Sequence, residues 1–405
     1  MPSYLAPDVY IEEVPAGPRP IEAVGTSTAG FVGVPPVASA HVNEVVPINN
    51  WTEFRGRFVS EGSTSTPLSH AVYGFFLNGG SRCYVANPGA NKPIAGGGRQ
   101  RMGLELFEEI DEIAIVAAPG LTDPASLEAL MAHCEKLKDR VAVLDTPEDV
   151  PSINLLTQVA VVNPPAKRGS AQEDKSASAP ASPTGGLRPR PSEFAALYFP
   201  WITVQDPLPP NAIVSVAPSG HLAGIWARTD STRGVHKAPA NEAVRGAVGL
   251  AYTLTRAEQE ELNPNGVNVI RFFRGEGIRV WGARTLAPSS SEFRYLNVRR
   301  LFAMVEESIA RSMRWVVFEP NDMTLWKSIR RDVGAFLKRL WRDGALMGTT
   351  PEEAFFVKCD AETNPSEIVD AGMVVTIIGM APVKPAEFVV FRISQHASGA
   401  EVEIV

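Results

Sequence analysis

The sequence predicts a layered α/β domain built on a partly parallel sheet, followed by an α+β unit, with extended strand-forming segments at both ends. Three observations lead there. A strand, a helix and a second strand follow one another within about 35 residues near 112–144, which implies a crossover and parallel pairing. The pattern changes after about residue 260 to a hairpin, two long amphipathic helices and short strands. The first 24 residues carry strand chemistry between prolines, which suits a sheet edge rather than a core.

The N-terminal 24 residues contain Pro2, Pro7, Pro15, Pro18 and Pro20, and each removes a backbone donor and blocks a continuous helix. Between them Val9, Ile11 and Glu13 alternate with Tyr10, Glu12 and Val14. Fully extended, such an arm reaches roughly 80 Å at ~3.3 Å per residue. Strands are expected at 42–46 and 82–87, with a helix at 67–78 between them that stops at Gly79 and Gly80. The apolar run 112–118 is a buried strand. Asp123 and Pro124 then supply an N-cap and a first-turn proline for a helix striped by Leu127, Leu130, Met131, Cys134 and Leu137, and 141–144 is the next buried strand.

Residues 163–192 have no apolar periodicity and are rich in Ala, Ser and Pro, so they read as a surface loop or disordered insertion. A strand at 195–204 returns to the core. Beyond 260, 267–273 and 278–281 form a hairpin through Arg274-Gly275-Glu276-Gly277. A helix is expected at 297–313 and a strand at 315–318. A longer helix at 322–343 places Leu325, Trp326, Ile329, Val333, Phe336, Leu337, Leu340 and Trp341 on one face. Strands near 353–359, 372–380 and 387–394 follow, and the alternating tail carries Val402 and Ile404.

Composition excludes several function classes. The hydrophobic share is 44% and the charged share 20%, values of a globular protein. A net charge of −7 argues against a nucleic-acid binder. No apolar run approaches the ~18 residues of a membrane span, and no signal peptide is visible, so synthesis in a cytoplasm is the expectation. Cys83, Cys134 and Cys359 lie far apart and read as reduced, buried small hydrophobes.

Reaction chemistry is hard to find. There is no phosphate-cradling Gly-x-x-x-x-Gly-Lys-Ser/Thr loop, and Gly275 and Gly277 sit in a hairpin rather than opening a helix. Ser219, His221 and Asp230 are the residue types of a hydrolase, but no Gly-x-Ser-x-Gly elbow accompanies them. His133 beside Cys134 is the nearest approach to a ligand cluster, and adjacent helical residues point apart. No catalytic residue, metal ligand or cofactor is expected. An enzyme on a doubly wound fold and a monomeric binding module stand as the competing readings.

Several segments together resemble the contractile tail sheath family of phages, pyocin-like particles and extracellular contractile injection systems. They are Tyr4-Leu-Ala-Pro-Asp-Val-Tyr-Ile-Glu-Glu-Val14, Gly25-Thr-Ser-Thr-Ala-Gly-Phe-Val-Gly33, Tyr198-Phe-Pro-Trp-Ile202 and Pro218-Ser-Gly-His-Leu-Ala-Gly-Ile-Trp-Ala-Arg-Thr-Asp230. Further on come Lys237-Ala-Pro-Ala-Asn241, Val280-Trp-Gly-Ala-Arg-Thr285, Val298-Arg-Arg-Leu301, Phe318-Glu-Pro-Asn321, Gly344-Ala-Leu346 and the run from Ala381-Pro-Val-Lys-Pro385 to Phe391. The 163–192 insertion departs from the family pattern.

The resemblance implies an N-terminal linker arm at 1–24 and an outer α/β domain at 25–260 with a subtilisin-like portion lacking protease activity. It also implies an inner α+β domain at 261–385 and a C-terminal strand and arm at 386–405. Val9, Tyr10, Ile11, Glu12, Val14, Val402 and Ile404 would form the intersubunit arms, adding strands to neighbouring copies. Lys327, Arg331, Lys338 and Arg342 fall on a similar side of the 322–343 helix and would face the tube, with a solvated basic face as the alternative. The implied partners are further copies of the chain in stacked hexameric rings or a helical polymer, an inner tube protein, and baseplate and terminal cap proteins. Neither nucleic acid nor membrane insertion is implied. Assembly would take place in a bacterial cytoplasm. Compact length and the opening motif lean toward a phage-derived injection system, with a true myophage tail as the alternative.

Overall fold

The computed structural model describes residues 20–97, 100–160 and 185–390. Its strands are β1 (Ala29–Val32), β2 (Val45–Ile48), β3 (Cys83–Ala86), β4 (Ile115–Ala117), β5 (Val141–Asp145), β6 (Ala195–Phe199), β7 (Ile202–Gln205), β8 (Ile213–Val216), β9 (Glu242–Ala243), β10 (Ala247–Leu250), β11 (Val267–Phe273), β12 (Gly277–Trp281), β13 (Phe355–Lys358) and β14 (Ile377–Met380). The helices are α1 (Trp51–Phe58), α2 (Pro67–Leu77), α3 (Pro124–Leu137), α4 (Ser219–Arg233), α5 (Arg256–Leu262), α6 (Leu296–Ser312), α7 (Met323–Arg342), α8 (Pro351–Ala354) and α9 (Ser366–Asp370).

Nine strands form one sheet in the order β2-β3-β1-β4-β5-β6-β11-β12-β9. The run from β3 to β11 is parallel, and antiparallel strands lie at both edges. Both faces of the parallel strands are covered, which explains their continuous apolar runs. In β5, Val141 and Val143 point into a core shared with α1, α2 and α4, while Ala142 and Leu144 point into one shared with α3. Local chemistry sets the helix ends as expected: the Asp123 side chain accepts from Ser126 N, with Pro124 in the first turn of α3.

Helix α4 is held against α2 by two glycines. A Cβ at Gly220 would stand 2.2 Å from Ala71 Cα, and one at Gly224 would stand 2.4 Å from Phe75 O. The pair therefore touches backbone to backbone, and α4 buries residues around its whole circumference. Its N-terminus is capped from another element: Asp145, at the end of β5, accepts from Ser219 N at 2.9 Å.

Several expectations are corrected. The 267–281 hairpin forms, but β11 pairs with β6 and so completes the large sheet instead of opening the second unit. The expected strand 195–204 is two strands in different sheets, because Pro200 lacks a donor and the chain turns there. Residues 315–318 are no strand: α6 runs on into a tight turn over Arg314–Val316, and Val316 N bonds back to Met313 O. Residues 353–354 end a helical turn, and the strand expected over 372–380 is confined to Ile377–Met380 after a turn at Gly372. Residues 387–390 carry no strand, and the rest of that expected element lies outside the described residues.

The 163–192 segment is also not wholly a loop on the surface. Residues 185–192 pack on the body: Leu187 touches the α3-side core, and Arg190 reaches Glu128 and Glu135 on α3 at 2.8–3.1 Å. Polar composition hid this anchoring, because most of it is made by Arg190 and only Leu187 adds an apolar side chain to that core.

Candidate assembly surfaces

The second unit is built on α7. Its first turn is capped by Asp322, whose side chain accepts from Leu325 N at 2.8 Å. Leu325, Trp326, Ile329, Val333, Phe336, Leu337 and Leu340 are buried with Leu301 and Val305 of α6. At about 100° per residue the opposite side carries Lys327, Arg331, Lys338 and Arg342 within an arc of about 60° and a length of about 22 Å. All four are exposed. Arg331 bonds Asp332 at 2.8 Å, and the other three have no ion-pair partner among the described residues. The side chains read from the sequence as one basic face are therefore brought together as a strip.

Beside this helix, β13 and β14 pair antiparallel with Phe355 opposite Met380 and Lys358 opposite Ile377. No third strand joins them among the described residues. Phe355, Val357, Ile378 and Met380 pack toward α7, while Phe356 and Ile377 are exposed on the other face. A lone two-stranded sheet is marginal in water, and its outer edges offer unpaired donors and acceptors.

The N-terminal root is locked to the body. Ile21 lies in the α6–α7 core, and its carbonyl accepts from Arg339 at 2.6 Å. Val24 N and Glu22 N donate to Ser308 and Ser312, one turn apart on α6. Thr26 and Arg300 converge on Asp230 of α4 at 2.6–2.9 Å, and the guanidinium lies 4.9 Å over the Trp226 ring. Residues 20–24 of the expected arm thus belong to the subunit body, fixed by side chains far away in sequence. The arm residues Val9, Tyr10, Ile11, Glu12, Val14, Val402 and Ile404 lie outside the described residues.

Ser219, His221 and Asp230 do not form a relay. Ser219 Oγ donates to Asp145 at 2.7 Å, and Asp230 is taken by Arg300. Burial pushes the Asp145 pKa up to about 6 against its hydrogen bonds from Ser219 and Gly120. The His221 ring is buried against Gly74 with its pKa pushed down to about 4 by burial, helped by nearby His70. These groups are packing and capping contacts. Among the described residues no group of three or more His, Cys, Asp or Glu is placed to hold a metal ion.

Two family models match in tandem: the phage tail sheath protein central domain over residues 103–286 and the phage tail sheath C-terminal domain over 289–396. The chain belongs to the contractile tail sheath family. Among solved sheath structures it is similar to the sheath of an extracellular contractile injection system, PVC, in the contracted state. That match has 28% identity, covers 98% of this chain and 99% of the other, and has a TM-score of 0.76. The contracted helical sheath of the anti-feeding prophage matches at 29% identity over 97% of this chain and 100% of the other, with a TM-score of 0.72. Among curated sheath proteins, that of Salmonella phage ViI is 27% identical over 67% of this chain, and that of Vibrio phage KVP40 is 28% identical over 45%. The matches span only 42% and 27% of those phage sheath proteins' own length.

Proposed function

We propose that this chain is the structural subunit of a contractile sheath that polymerises around an inner tube and, on contracting, drives the tube through a target envelope. The observation that carries this reading is the end-to-end likeness to injection-system sheath chains, nearly complete in both directions. A phage-derived injection system is the preferred reading because these solved injection-system sheath chains match over nearly their whole length, with a true myophage tail as the alternative. The subunit acts mechanically and not as an enzyme. Energy is stored in the extended lattice and released as subunits rotate into a shorter, wider packing.

In this reading the large-sheet unit, with its subtilisin-like portion, faces outward, and the α6–α7 unit faces the tube. The terminal arms cross to neighbouring copies and add strands, for which the open β13–β14 sheet supplies edges. Head-to-tail contacts of that kind give open helical or stacked-ring polymers. Baseplate and cap proteins bound the ends, and assembly takes place in a bacterial cytoplasm.

The basic strip of α7 is the tube contact. Exposed ion pairs contribute only ~0–1 kcal/mol each, so the grip is weak per subunit and adds along the particle, which suits a contact that must release. Two experiments test the reading. The purified chain should form long tubes or stacked rings in electron micrographs, and monomers alone over a wide concentration range would sink it. Lys327→Glu with Arg331→Glu should spare sheath assembly while reducing tube-filled extended particles. Normal tube loading at physiological salt would place the contact elsewhere.

A further inference from the structure

Histidine is the side chain whose charge ordinarily changes between pH 7 and pH 5, and residues 237–395 contain none. Two histidines meet where α2 packs on α4. His221, in the first turn of α4, is 1% exposed, and its ring lies on Gly74 of α2, where a Cβ would stand 2.3 Å from Nδ1. Neither ring nitrogen has a hydrogen-bond partner among the described residues. A neutral imidazole carries one donor and one acceptor, so both are buried unmatched.

His70 lies one turn before Gly74 on the same face of α2. Its side chain is 12% exposed, and Nε2 stands 3.5 Å from Asp206 Oδ1, just beyond β7, without forming a hydrogen bond. Asp206 instead accepts from Ser65 Oγ and, at 2.9 Å, from Leu208 N.

The charged groups facing this pair treat its two members differently. Asp206 can balance a proton on His70, whereas the charge bearing on His221 is that of His70, which repels a second proton. Asp145, the carboxylate at the head of α4, is taken by Ser219 and Gly120. Water cannot enter to solvate a charged ring, because Gly220 and Gly224 bring the two helix backbones into contact. His133 is a third buried ring, but it belongs to α3 on the opposite face of the sheet, with Glu108, Lys136, Asp139 and Arg140 about it.

We propose that His70 and His221 form an acid switch in the α2–α4 contact: neutral rings hold the helices together at pH 7, and protons taken up below about pH 6 part them while the α6–α7 unit stays closed. This response is independent of the sheath reading. A buried neutral histidine binds no proton in the closed state and one when exposed, so its support is complete above about pH 6.5 and falls as pH drops. Two such rings raise the opening constant roughly 60-fold between pH 6 and pH 5. Asp145 works the other way: burial pushes its pKa up to about 6, so it binds its proton in the closed state and takes back about fivefold. About a tenfold rise remains.

The test is hydrogen exchange of the full-length, unassembled chain, read peptide by peptide and corrected for the intrinsic pH dependence of exchange. Between pH 6 and pH 5 the opening constant of α2 and α4 should rise about tenfold, with α7 unchanged. His70→Gln should cut that rise to less than about twofold. Asp206→Asn, which can still accept from Ser65 and Leu208, should enlarge it, because a protonated His70 then has no countercharge. A flat profile in the parent overturns the proposal, as does an equal rise in α7 or a rise that survives His70→Gln. If His70→Gln does not fold, the sign of the Asp206→Asn effect decides, and a smaller rise there overturns the proposal.

Discussion

Removing the guanidinium of Arg300 should destabilise the subunit in a pH-dependent way. Arg300 and Asp230 are each 3% exposed and meet at 2.6 and 2.9 Å. Arg300 also donates to Thr26 O at 2.9 Å, so one side chain ties α6, α4 and the N-terminal root together. Burial raises the Asp230 pKa, and Arg300 is the largest opposing influence. In Arg300→Met the carboxylate keeps its bond from Thr26 but loses its countercharge. Breaking one side of a buried pair costs about 3–5 kcal/mol. Losing the cation–π contact with Trp226 adds up to about 1 kcal/mol. We expect about 4 kcal/mol at pH 7. The pKa of Asp230 then rises further, and a group whose folded pKa is raised favours the fold at low pH and loses that support as pH climbs. The deficit should therefore shrink at pH 5. Asp230→Asn in the same background should recover much of it at pH 7. The assay is urea unfolding of the unassembled subunit, followed by tryptophan fluorescence and compared transition by transition. A cost below about 1 kcal/mol, or one identical at pH 7 and pH 5, refutes the reasoning.

Other predictions concern the core and the 163–192 segment. His221 is neutral in the fold down to about pH 4 but protonates near 6.5 when unfolded, so its contribution falls as pH drops through that window. His221→Asn should remove about 3 kcal/mol of that pH dependence, read as a wild-type-minus-variant difference that narrows from pH 7 to pH 4. A constant difference would contradict it. Gly220→Val should cost at least about 1–3 kcal/mol, because the new Cβ meets the backbone of Ala71, and unaltered urea stability would show that α2 and α4 are not in such close contact. A Gly/Ser linker in place of 163–184 should leave unfolding unchanged. Extending it to 192 should cost on the order of 2 kcal/mol through the lost Arg190 and Ser192 bonds to α3. Equal stability of the two replacements would show that the anchoring contributes nothing.

Much of the local structure was legible. The Asp123–Pro124 start predicted α3, and the apolar stripe predicted α7 with its basic strip opposite. Helix α4 had no readable stripe, because it is enclosed on all sides and its glycines are there for close approach to α2. The 315–318 segment has strand-like residues but continues the turn of α6. Of the candidate assembly surfaces, the basic face could be read from helical spacing alone. The N-terminal root could not, since Ile21, Val24 and Thr26 show no pattern that names Arg339, Ser308 or Asp230 as partners.

By itself the sequence determined what depends on neighbours a few residues away: caps, amphipathic stripes, buried apolar strands and the absence of a known catalytic motif. Its ordered motifs also pointed to the family. Only the tertiary structure decided which strands share a sheet, because backbone edges carry no address and β11 finds β6 across about 70 residues. It likewise decided which charges are buried together. Arg300 meets Asp230 70 residues away, and Arg284 meets Glu387 103 residues away. Burial of those charges is tolerated only once the fold supplies the partner, and nothing in the local sequence around either residue announces it.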